Sequence, residues 1–210
     1  MAIIDGTYRD ERYGQTIYNL LMAHFHNDIG VSGLMGNLQA ESYLTPYRMQ
    51  SELSESATIS YNYANDVVQG NITKTQFVAN GQSSIWYNGV EYPGTGFGLA
   101  QWTWYTRKSA LYEWRITNEY VDFGVNCTVS FLIHELSTDY PECYDIVMNG
   151  TNLRTVSDYI LANFENPQDQ STEMKIHRYK LAAAILNDYG GHTPVIISTT
   201  KRKYPWVLFK

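Results

Sequence analysis

The 210 residues carry a net charge of −6, with 17% charged and 44% hydrophobic residues, which describes a globular chain with room for one real core. The acidic balance argues against nucleic acid as a partner, because nothing in it neutralises a phosphate backbone. No apolar run approaches the length of a membrane span, the longest in the first helical stretch being Leu20-Leu21-Met22-Ala23, so no membrane partner is expected.

In chain order, the segment from Met1 to Thr7 has neither a basic start nor a hydrophobic stretch, so no secretory signal is expected and delivery to an outside target must come from elsewhere. Residues 12–27 read as an amphipathic helix, with Ile17, Leu20, Leu21, His24 and Phe25 on one side. Asp28-Ile29-Gly30 is expected to end it, and Ser32 to cap a second helix that runs to about residue 40. Glycine inside a helix costs stability, so Gly30, Gly33 and Gly36 predict close approach of a neighbouring backbone. Glu41 then stands at the C-terminal end of that helix, beside Leu34, Leu38 and Tyr43. The negative end of the helix dipole and an apolar surrounding are where a carboxyl retains its proton, as a general acid for glycosidic cleavage must.

Residues 57–80 carry polar helical pieces broken at Gly70-Asn71, with Thr73 capping 74–80. Ser84-Ile85-Trp86-Tyr87, Asn88-Gly89 and Val90-Glu91-Tyr92 form a β-hairpin signal, because Asn-Gly between aromatic and β-branched residues favours a two-residue turn. The stretch Gly94-Thr95-Gly96-Phe97-Gly98-Leu99-Ala100-Gln101-Trp102-Thr103 allows tight turns and lets a polymer approach the backbone. Gln101 offers a donor and an acceptor to a sugar, and Trp102 a stacking face. No Lys-Ser/Thr follows, so this is not a phosphate loop. Thr103 or Thr106 opens a helix through Arg115. Helices over 121–136, from Pro141, over 155–164 and over 172–188 follow, the last closed by Gly190-Gly191. From residue 192 the character changes to a β-branched and then basic and aromatic arm, expected to dock on the domain or on a partner rather than hang free. The fold expected is α+β and mostly α, a helical domain over 1–191 with one small β-hairpin beside the site, and a C-terminal arm or linker over 192–210.

The helix ending in Glu41-Ser42, the hairpin and the glycine-rich loop together resemble the lysozyme-like superfamily. The resemblance is closest to the lysozyme domain of phage tail-tip and tail-knob proteins. It rests on Gly33-Leu34-Met35-Gly36-Asn37-Leu38-Gln39-Ala40-Glu41-Ser42, on Gly96 to Thr103 with Arg107 beyond, and on Phe164-Glu165-Asn166-Pro167, and it covers about residues 12–190. It implies that Glu41 is the catalytic acid, that Gln101 lines the cleft, and that the substrate is the β-1,4 glycan of peptidoglycan. The implied setting is local wall opening by a phage, from the virion tail or from the host cytoplasm before release, with other tail proteins as partners through the arm.

A second carboxylate is needed for hydrolysis, either to activate water or to act as nucleophile. Goose-type lysozymes carry one carboxylate shortly before a similar Gly-Phe-Gly-Leu-x-Gln stretch and another just after it. In this chain Glu91 stands before the stretch and Thr103 after it. Glu91 is therefore the candidate for positioning water, against the alternative of a solvent-facing hairpin residue; Glu52, Glu55 and Asp66 are further candidates. Glu165 is either a structural cap or a catalytic group. Without a base, a single Glu could serve a lytic transglycosylase, in which the muramyl 6-hydroxyl attacks internally. The expected site thus comprises Glu41 and Glu91 as catalytic groups and Ser42, Gln101, Trp102 and Tyr87 as substrate contacts, with no metal and no cofactor. His24 and His26 fall on different helix faces without a completing ligand, His134-Glu135 reads as structural, and Cys127 and Cys143 as buried free thiols. A third reading, from a different class, is a structural or wall-binding tail component that keeps the fold without catalysis.

Overall fold

The computed structural model describes residues 2–4, 6–52, 57–79 and 82–191, with side chains from residue 6 onward. The arm over 192–210 and the candidate Glu55 lie outside the described residues.

The chain opens with a hairpin of β1 (Ala2–Ile4) and β2 (Thr7–Arg9), a second small sheet that the sequence reading lacked. Arg9, buried, pairs with Glu11 at 2.8 Å and with Asp188 at 2.6 Å, which ties this hairpin to the last helix. Helix α1 (Glu11–Phe25) is capped by Asp10, whose side chain accepts from the Arg12 amide, and ends at His26 in the left-handed region.

The second helix starts earlier than expected. Helix α2 (Asp28–Ser42) is capped by Asn27, whose Oδ1 accepts from the Ile29 amide. The Asn27 amide nitrogen donates to the carbonyls of Val147, Met148 and Gly150, so one side chain both starts the helix and docks it. Asp28-Ile29-Gly30 is therefore the first turn of α2, and Ser32 lies buried inside it.

The remaining helices follow in chain order. They are α3 (Thr58–Gln69), α4 (Lys74–Val78), α5 (Tyr105–Thr117), α6 (Val125–Asp139), α7 (Pro141–Asn149), α8 (Leu153–Ile160), which runs on as a π-helical turn over Leu161–Glu165, and α9 (Thr172–Tyr189). Thr73 and Gln76 form a complete capping box on α4. Helix α2 packs on α9, α8, α7 and α1, and its glycine stripe makes this possible. A Cβ on Gly30 would collide with the Val147 carbonyl, one on Gly33 with Val156, and one on Gly36 with Ala182. The expected backbone approach is thus present at Gly30 and Gly36, while at Gly33 the closest neighbour is the Val156 side chain.

Strands β3 (Ser84–Tyr87) and β4 (Val90–Pro93) pair antiparallel, with Trp86 opposite Glu91, around Asn88 and Gly89 at φ 50° and 77°. Beneath this hairpin, Tyr63, Phe77, Phe97 and Phe123 pack ring against ring. Cys127 and Cys143 are free and buried, their thiols pushed up by burial to about 12 and about 11. Among the described residues no helix is long and apolar enough to cross a membrane.

Candidate active site

Helix α2 delivers Glu41 to the wall of a cavity of about 460 Å³. The helix stops one residue later because Tyr43 and then Leu44 take left-handed backbone, at φ 58° and 61°. This turn sends the chain back along the cavity through Arg48, Met49, Gln50, Ser51 and Glu52, all of which line it. The Glu41 side chain keeps 23% of its surface exposed, and its Oε1 accepts from the guanidinium of Arg178 at 2.6 Å. Arg178 comes from α9, is almost fully buried, and also donates to the Asn37 carbonyl at 2.7 Å. The wholly apolar surrounding expected for Glu41 is therefore corrected: a buried cation stands on one side of it.

Glu165, at the end of the π-helical turn, lines the same cavity. That turn widens the helix by one residue, and Asn166 follows in left-handed backbone at φ 44°, so Phe164, Glu165, Asn166 and Pro167 all line the cavity. Glu165 Oε1 is enclosed and has no hydrogen-bond partner among the described residues. Burial pushes the Glu165 carboxyl well above the ordinary range and the charge of Glu41 adds to that, while Arg107 and Arg178 act in the opposite direction.

The opposite wall is the glycine-rich loop. Phe97 and Trp102 exchange backbone hydrogen bonds at 3.2 and 2.9 Å, with Gly98 in left-handed backbone at φ 82°. The Gln50 amide donates to the Gly96 carbonyl at 2.8 Å and the Gly98 amide to the Arg48 carbonyl at 2.7 Å. Gln101 lines the cavity, but its side-chain amide nitrogen donates to the carbonyls of Arg48 and Gly98, so its donor joins the two loops together. At the rim stands Trp104, the residue before α5, 72% exposed.

Trp102 does not offer a stacking face. It is 0% exposed, packs on Phe131, and its indole N–H donates to Glu135 Oε2 at 2.8 Å. The same Glu135 accepts twice from Arg107, at 2.6 and 2.9 Å. His134 stacks on Trp114, so the His134-Glu135 pair is structural as expected.

The sequence profile of one known family, described as phage tail lysozyme, matches residues 13–189 and so takes in Glu41, the glycine-rich loop and Glu165. The chain belongs to the phage tail lysozyme family. No curated protein matches it. The family carries the general function, a lysozyme-like hydrolase acting on the bacterial cell wall, with peptidoglycan as the substrate and a phage tail as the setting.

Of the six residues that the sequence marked in this phage tail lysozyme, Glu41 and Gln101 line the cavity and four do not. Ser42 is buried, its hydroxyl donating to the Leu38 carbonyl inside the helix. Tyr87 is buried under the hairpin and donates to Asp66 at 2.6 Å. Glu91 lies exposed on β4, opposite exposed Trp86, on the outer face of the hairpin. Among the other candidate bases, Asp66 also accepts from Asn71, and Glu52 accepts from the amides of Ile59 and Ser60, holding the start of α3. Sequence reasoning passed over Trp104, Arg178 and half of the case for Glu165. The signal available was the motif Phe164-Glu165-Asn166-Pro167, in which a carboxylate precedes a helix-breaking Asn-Pro.

Proposed function

We propose that this chain is a muramidase-type glycosidase that cleaves the β-1,4 glycan of peptidoglycan, with Glu41 as general acid, and that it opens the bacterial wall for phage DNA delivery or release. The observation that carries this reading is the placement of a partly exposed Glu41 carboxyl on the wall of a cavity large enough for sugar rings, held in position by Arg178. Glu41 gives its proton to the glycosidic oxygen as the C1–O bond breaks, and water adds to the sugar carbon. Trp104 at the rim supplies the stacking face that the sequence assigned to Trp102.

A lytic transglycosylase on the same scaffold is the second reading. Its support is that Glu91, the candidate for positioning water, lies outside the cavity. Mass analysis of products from purified peptidoglycan separates the two. Reducing-end fragments carrying one added water are expected from the wild-type chain and not from Glu41→Gln. Fragments lighter by one water would move the assignment to the transglycosylase. No products from either protein would leave a structural or wall-binding tail component.

A further inference from the structure

Among the described residues, half-buried Glu165 makes no hydrogen bond through its enclosed oxygen that would explain its position. Its Oε1 is enclosed without a partner among the described residues, and an unsatisfied buried polar atom costs stability unless it has another use. The charged and titratable groups that face it come from five elements: Glu41 on α2, Arg107 on α5, Glu135 on α6, Cys143 on α7 and Arg178 on α9. Glu135 is saturated by Arg107 and Trp102, and the Cys143 thiol is kept neutral by burial. This leaves Glu41 as the only one of them that both opens to the cavity and interacts with Glu165 as a like charge.

We propose that Glu41 and Glu165 hold one proton between them, so that Glu165 is a positioning residue that keeps Glu41 supplied with the proton it donates. The proposal rests on Glu41 being the acid. A carboxyl alone beside a guanidinium gives its proton up readily, whereas two carboxyls sharing one enclosed space retain the first proton strongly, because both cannot ionise cheaply. The cavity leaves room for water to bridge them. When Glu41 passes its proton to the leaving oxygen, the electron pair of the C1–O bond stays on that oxygen and the pair is briefly doubly ionised, balanced by Arg178 and Arg107. The proton released by the incoming hydroxyl, from water or from the sugar itself, then returns to Glu41, driven by repulsion from Glu165.

The test is the pH–rate profile of the full chain on purified peptidoglycan, wild type against Glu165→Gln. The alkaline limb of Glu165→Gln is expected to move to lower pH by about one unit or more. An unmoved limb would overturn the proposal. So would loss of activity at every pH in a folded variant, which would make Glu165 itself the group that touches substrate. A measurement on the wild type needs no variant: carboxyl-carbon NMR titration should show two inflections at Glu165, and a single-step curve there would overturn the pairing. Glu41→Gln stands apart from both, because activity in that variant would sink the acid assignment whatever Glu165 does.

Discussion

Two glutamate–arginine clusters border the same cavity and differ in how far they are satisfied. Glu135 is 2% exposed and accepts three hydrogen bonds, two from Arg107 and one from Trp102. Glu41 and Glu165 share their surroundings with Arg178, yet Glu165 Oε1 and Arg178 Nε are enclosed without partners among the described residues. The first cluster is closed and locks α5, α6 and the glycine-rich loop together. The second is left open toward the cavity. A fully satisfied polar network rigidifies a core, while an unsatisfied one that faces a cleft has bonding capacity left for a ligand or a transition state. The difference teaches where chemistry and where architecture reside in a site rich in both kinds of pair.

The comparison breaks first at the closed cluster. Glu135→Ala strands the Arg107 guanidinium and the Trp102 indole, and removal of one partner of a buried pair costs about 3–5 kcal/mol. Denaturant unfolding should show a loss of that size, whereas Glu165→Gln should cost far less. Equal losses would mean that both clusters are architectural.

Lys108 extends the closed side. It is fully buried, donates to the Thr95 carbonyl at 2.9 Å, lies over the Phe77 ring, and is pushed down by burial to about 7. The unfolded chain binds a proton there up to about pH 10.4 and the folded chain does not, so Lys108 makes stability rise with pH between those values. Lys108→Met should therefore gain on wild type by a few kcal/mol more at pH 6 than at pH 10, read from unfolding curves at the two pH values. A pH-independent difference would show that the amine is charged in the folded state.

On the open side, Trp104→Ala should raise KM by about two- to tenfold, the worth of one lost ring contact, with kcat and melting temperature unchanged. A fall in kcat alone would place Trp104 nearer the reacting bond than the rim. The smallest effect is the sharpest check on the hairpin: Glu91→Gln should leave rate and pH profile as they are, because Glu91 faces outward. A lost limb in that profile would return Glu91 to the mechanism.

Much of this architecture was legible in the residues. Helical periodicity and caps such as Thr73 located most helices, Asn88-Gly89 located the hairpin, and the glycines of α2 announced the neighbours that press against it. The start of α2 was misread although its cap is local, Asn27 Oδ1 accepting from the Ile29 amide; what no local pattern contains is the docking of the Asn27 amide nitrogen on residues 147–150. The N-terminal hairpin had a signal, Asp5-Gly6 between Ile3-Ile4 and Thr7-Tyr8, that was not taken up. Within the site, Glu41 was readable because its motif is local to one helix end. Glu91 misled because closeness to the glycine-rich loop in sequence is not closeness in space once a strand alternates its faces. Trp102 and Trp104 show the limit most plainly. The two tryptophans stand two residues apart, and distant partners of Trp102, Glu135 and Phe131 on α6, accompany the burial of one and not the other.

The most direct test is the rate of glycan cleavage by Glu41→Gln on purified peptidoglycan, measured with its melting curve beside wild type. The account predicts activity reduced to background with the melting temperature essentially retained. Clearance of the wall substrate at the wild-type rate by the folded variant would contradict it.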